Sequence, residues 1–228
     1  MRQAGEANAL FRDLLIRLAT GATTEEDWHT FGERSLSRLD PATQELFNTT
    51  GTKLCARKVD SVQFNQLGLE RTGNPILVTK ALNSDSKAAQ FPSDKAGGLV
   101  NTLPIAKQCK IVLTANLWPE AGLVNGSRGT VEYIIFREGQ VPPATVLPAL
   151  LICRFPGYKG PSFLDGQPHM VPIYPTRREW YEKGKLYARN MLPLLLGYSL
   201  TIHKSQGKQD EQNWFMPDLY LRTKSRNT

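Results

Sequence analysis

Apolar positions are spaced differently in successive parts of the chain. Leu10, Phe11, Leu14, Leu15 and Leu18 recur at 3.6-residue spacing, which predicts an amphipathic helix that Gly21 closes. Thr23 with Glu26 three residues on reads as a capping box for a second short helix through Trp28 and Phe31. Asp40-Pro41 supplies the N-cap and first-turn proline of a third. Thr52 to Arg57 then reads as a strand, followed by a helix with Val59, Val62 and Leu69 inward and Asn65 among them. Ile76 to Lys80 is another short strand.

Beyond Lys80 the pattern changes. Small and polar residues dominate from Ala81 to Gly98, the mark of an irregular segment, before a buried-type β run at Ile111 to Thr114. Asn125-Gly126 signals a turn ahead of the alternating stretch Thr130 to Phe136. Thr145 to Phe155 and Pro168 to Tyr174 add β-type segments separated by Gly- and Pro-rich turns, a punctuation that implies a small barrel. The last apolar run, Leu192 to Leu200, feeds directly into Thr201-Ile202-His203-Lys204-Ser205-Gln206-Gly207.

Composition narrows the setting. A chain of 228 residues can bury a substantial core in one or two domains. Its net charge of +7 suits nucleic acid, anionic membrane or acidic partners and does not choose among them. Cys55, Cys109 and Cys153 are far apart, with no close pair to form a metal knuckle, so a reduced intracellular setting and no metal are expected. No apolar run reaches membrane-spanning length and the N-terminus lacks a secretory pattern, so no membrane partner is expected.

The densest candidate chemistry lies at residues 201–207. Hydroxyls, an imidazole, a cation, an amide and a glycine crowd the end of an apolar strand, a mixture suited to gripping phosphate where a strand turns into a helix. Taken singly, each residue reads as an ordinary strand-end polar group, and it is the six together that point to phosphate. A second candidate surface interleaves basic and aromatic residues: Arg154, Tyr158, Lys159, then Arg177, Arg178, Trp180, Tyr181, Lys183 and Lys185. There the aromatics either stack on bases or cover the barrel. A Gly-x-x-x-x-Gly-Lys-Ser/Thr phosphate loop does not occur, and no apolar strand ends in an acidic pair suited to magnesium.

Thr201 to Gly207, preceded by Met191-Leu192-Pro193-Leu194, resembles motif V of superfamily-one B DNA helicases, above all the petite-integration-frequency family and its RecD relatives. Cys109 to Leu117 followed by Gly122 to Val131 resembles the strand and turn by which that family enters the insertion of its second motor domain. Weaker agreement runs from Met1 to Leu69 and the likeness stops at Gly207. The resemblance implies an α/β fold: an incomplete RecA-like second motor domain of the P-loop NTPase type with a small Src-homology-three-like β-barrel insertion. On this division residues 1–127 and 187–228 form the motor domain, the latter with a divergent tail, and residues 128–186 form the insertion.

The resemblance also implies roles. Arg2, in an Arg-Gln pair like motif IV, would face the terminal phosphate of ATP, whereas from the residues alone it is a solvated terminal charge. Thr201, His203, Lys204, Ser205, Gln206 and Gly207 would contact single-stranded DNA, with Gln206 also coupled to the nucleotide. Asn125 and Arg128 rank second, Asn125 serving either the strand or only its turn, and Trp180 is a stacking candidate. Ser225-Arg226 is too close to motif V to serve as motif VI. ATP and Mg2+ belong to a complete enzyme moving 5′ to 3′, with a first RecA-like domain in cis, in nucleus or mitochondrion. This chain alone is expected neither to bind nucleotide tightly nor to hydrolyse it. The alternatives are a non-catalytic nucleic-acid-binding module and a non-functional truncated product.

Overall fold

The computed structural model describes residues 9–33, 38–139 and 147–202. Contacts divide the chain into two units, Met1–Gly51 and Thr52–Thr228.

The first unit holds α1 (Ala9–Thr20), α2 (Glu25–Glu33) and α3 (Pro41–Thr50). Gly21 adopts φ 74°, the left-handed turn that closes α1, and the Ala22 N–H reaches the Arg17 carbonyl at 2.8 Å. The capping box falls one residue later than expected. The Asp27 N–H donates to Thr24 Oγ1 at 3.2 Å while Asp27 Oδ2 accepts from the Thr24 N–H at 3.0 Å. Arg17 Nε donates to the same carboxylate at 2.8 Å, and the guanidinium holds the Asp27 carboxyl well below the usual carboxylate range. At α3, Asp40 Oδ1 accepts from the Thr43 N–H at 2.9 Å, as the Asp-Pro pair predicts. The periodic face of α1 is buried only at Leu14 among its described residues, and Leu10 is 86% exposed. Periodicity identifies a face, but burial needs a surface opposite it.

The second unit opens with β1 (Lys53–Cys55) and α4 (Lys58–Glu70). β2 (Leu77–Lys80), β3 (Leu82–Asn83), β4 (Thr102–Ile105), β5 (Lys110–Leu113), β6 (Arg128–Ile135), β7 (Leu150–Arg154) and β8 (Met170–Ile173) follow. β9 (Thr176–Glu182), β10 (Lys185–Met191), β11 (Leu194–Leu196) and β12 (Ser199–Thr201) complete it. Five antiparallel strands run in the order β11-β5-β6-β7-β8, beside a β3-β10-β9 sheet, a β2-β4 pair and a parallel β1-β12 pair. Ile111, Leu113, Val131, Leu151, Ile173 and Leu194 build the core between these elements. Lys183 and Gly184 take φ 48° and 77°, the twin positive values of a tight hairpin turn between β9 and β10.

The five-stranded sheet crosses the division expected at residue 128. Ile111 pairs with Gly129 and, on its other side, with Leu196, so strands from either side of the expected insertion complete its sheet. The division expected after residue 186 likewise falls inside β10. The irregular segment 81–101 is held by Arg189, which is buried on β10. Its Nε donates to Asn83 Oδ1 at 2.9 Å, Nη1 to the Leu99 carbonyl at 2.8 Å, and Nη2 to the carbonyls of Ala88 and Phe91 at 2.7 and 2.9 Å. A buried cation is tolerable where fixed carbonyl dipoles replace water in this way.

Candidate nucleic-acid interface

The strand that delivers Thr201 is fastened on every side that the structure describes. β12 pairs in parallel with β1, Lys53 opposite Ser199, Leu54 opposite Leu200 and Cys55 opposite Thr201. The Lys53 N–H donates to the Tyr198 carbonyl at 2.9 Å and Thr52 Oγ1 to the Gly197 carbonyl at 2.9 Å. Cys55 Sγ lies 3.2 Å from Ser199 Oγ. Helix α4 closes one face of the pair. Asn65 Oδ1 accepts from the N–H groups of Tyr198 and Ser199 at 3.1 and 2.9 Å, and Asn65 Nδ2 donates to the Ser199 carbonyl at 2.9 Å.

The helix can come this close because its inward face is Ser61, Asn65, Gly68 and Leu69, in place of the expected valines. A Cβ on Gly68 would sit 2.3 Å from Tyr198 Cγ, so only glycine lets the aromatic ring lie against the helix. Val59 and Val62 face outward, with Val62 66% exposed.

Thr201 ends β12 partly exposed. His203, Lys204, Ser205, Gln206 and Gly207 lie outside the described residues, as does Arg2. Asn125 is exposed in its turn. Its N–H donates to Asn116 Oδ1 at 2.8 Å, and Gly126 carries φ 100° while its own N–H reaches the Leu113 carbonyl at 2.9 Å. Arg128 opens β6 opposite Val112, beside Lys110 on the neighbouring strand. Burial first and the Arg128 charge second push the Lys110 ammonium pKa down. The Lys110 N–H also donates to the Tyr198 hydroxyl at 3.3 Å, linking the five-stranded sheet to the residue ahead of β12.

Trp180 is not a stacking surface. It is 9% exposed, stacked on Tyr187 with centroids 5.9 Å apart and met edge-on by Phe91 at 5.8 Å, with the Arg189 guanidinium 5.8 Å from its ring. Both ring faces are therefore in use within the core. Tyr158 is buried too, its hydroxyl donating to the Pro161 carbonyl at 3.0 Å, while Tyr181 is 73% exposed.

The residues that sequence reasoning undervalued are Asn65 and Lys110. A polar amide in mid-helix, where asparagine is a poor helix former, was the available signal for the first. Nothing in the run Lys110 to Leu113 marked the second.

Among the described residues no group of three His, Cys, Asp or Glu side chains could hold a metal ion.

No protein-family model matches the chain. In solved structures, the Candida albicans Pif1 helicase superposes with a TM-score of 0.62 at 19% identity, over 90% of this chain and 46% of its own. Bacteroides Pif1 bound to single-stranded DNA gives 0.55 at 14% identity, over 94% of this chain and 45% of its own. The fold is thus of the RecA-like, mixed α/β class. In sequence the chain is 30% identical over 159 residues to the ATP-dependent DNA helicase PIF1 of Danio rerio, covering 68% of this chain and 21% of that protein. The chain is similar to the C-terminal part of PIF1-type helicases, and it spans about a fifth of that relative's length.

Proposed function

We propose that this chain is a strand-gripping part of a PIF1-type DNA helicase, holding the phosphates of single-stranded DNA at the end of β12. The observation that carries the reading is a parallel strand, locked between β1 and α4, that ends at Thr201 and runs into the hydroxyl-, imidazole- and ammonium-bearing residues 203–207. A related fold, that of Bacteroides Pif1 bound to single-stranded DNA, supports it. Thr201 and Ser205 offer hydroxyls to phosphate oxygens, Lys204 a point charge and Gln206 an amide. Asn125 shapes the turn that leads into β6, and Arg128 with Lys110 adds positive charge to that sheet.

On this reading the sheets from β5 to β11 form the barrel-like insertion, and ATP with magnesium enters only together with a first RecA-like domain. Arg2 and Gln206 then face the nucleotide across the lobes. Phosphoryl transfer is mostly positioning and charge neutralisation, for which this chain has at most one of the usual parts.

Titration of a fluorescent oligothymidine followed by anisotropy tests the reading. Lys204→Ala is expected to weaken binding about five- to tenfold with an unchanged circular dichroism spectrum, the size of one lost charge contact. Equal affinity for both proteins, or DNA-stimulated ATP turnover by the chain alone, overturns it.

A further inference from the structure

We propose that Asn65 is a positioning residue for the DNA-gripping segment, an inference that rests on the function proposed above. Between β11 and β12 the chain leaves an antiparallel sheet and enters a parallel pair within two residues, Gly197 and Tyr198. Gly197 passes so close to Ile111 that an added Cβ would lie 3.3 Å from its backbone, and its N–H donates to the Lys110 carbonyl at 2.8 Å. The next two N–H groups cannot continue that ladder. They turn instead to one acceptor, Asn65 Oδ1, while the same amide donates to the Ser199 carbonyl.

Three bonds from one planar group fix both the position and the rotation of the strand's first residue. Only an amide side chain supplies the acceptor and the donor together, since a carboxylate lacks the donor and a hydroxyl lacks the span. Thr201 lies two residues on, about 7 Å along the strand, and a slip of one residue would turn it to the opposite face. An asparagine in mid-helix costs helix propensity, and the clamp is what it gains in return. Asn65 touches no ligand and acts by fixing β12, which ends at Thr201.

Two measurements on the full chain test this. In amide hydrogen exchange, the Tyr198 and Ser199 amides of the unmodified protein are expected to be protected. Asn65→Ala should speed their exchange at least tenfold while the Val131 amide in β6 is unchanged. Unprotected amides in the unmodified chain overturn the clamp even if the variant fails to fold. In the oligothymidine titration, Asn65→Ala is expected to weaken binding about tenfold. Added to Lys204→Ala it should cost much less than the product of the two single effects, because both act on one segment. Full multiplicativity, or unchanged affinity in a folded Asn65→Ala, overturns the positioning role. Failure of the unmodified chain to bind DNA defeats the function on which the role rests, and the exchange data then still decide whether the clamp exists.

Discussion

Trp180 and Asn65 show how a single residue's role depends on what packs against it. The tryptophan sits among Arg177, Arg178 and Tyr181 in sequence, which suggested base stacking, yet alternation along β9 turns it inward while Tyr181 faces out. Sequence alternation is visible, but which phase faces the core depends on Phe91 and Tyr187, which arrive from distant segments. Trp180→Phe is expected to lower unfolding stability by about 1–3 kcal/mol in urea titration, because it removes packed volume from the core. It should leave oligothymidine affinity within a factor of two, and a large affinity loss in a folded variant would restore Trp180 to the interface. Asn65 misleads in the other direction, for it follows Val59 and Val62, which look like the core face and are exposed.

At the scale of elements, segments with strong local signals were legible. The Asp40-Pro41 cap, the Gly21 stop and the strands around Lys53, Ile111 and Ser199 form where spacing and turn chemistry place them. The capping box moved by one residue because Asp27 answers both Thr24 and Arg17, a pairing that depends on how two helices meet. Sheet membership was not legible, since the pairing of Ile111 with Leu196 joins residues more than eighty apart. The α4–β12 contact makes a sharp prediction. Gly68→Ala places a methyl within 2.3 Å of the Tyr198 ring, and overpacking of this kind costs about 1–3 kcal/mol, read as a lower urea midpoint. An unchanged midpoint would mean that α4 does not lie against Tyr198 as described.

For the whole molecule, the net charge of +7 suits the polyanionic strand of the proposed function. The proposed phosphate contacts at residues 201–207 require that the chain bind DNA through charge. The direct measurement is the affinity of the purified chain for oligothymidine at 50 and 200 mM salt. Each neutralised phosphate contributes a slope of about −0.7 for single strands, so three contacts predict a fall of roughly twentyfold across that range. Such a fall is the expected result. Affinity that is indifferent to salt, or no binding at tens of micromolar protein, would contradict the claim that β12 ends in a phosphate-gripping edge.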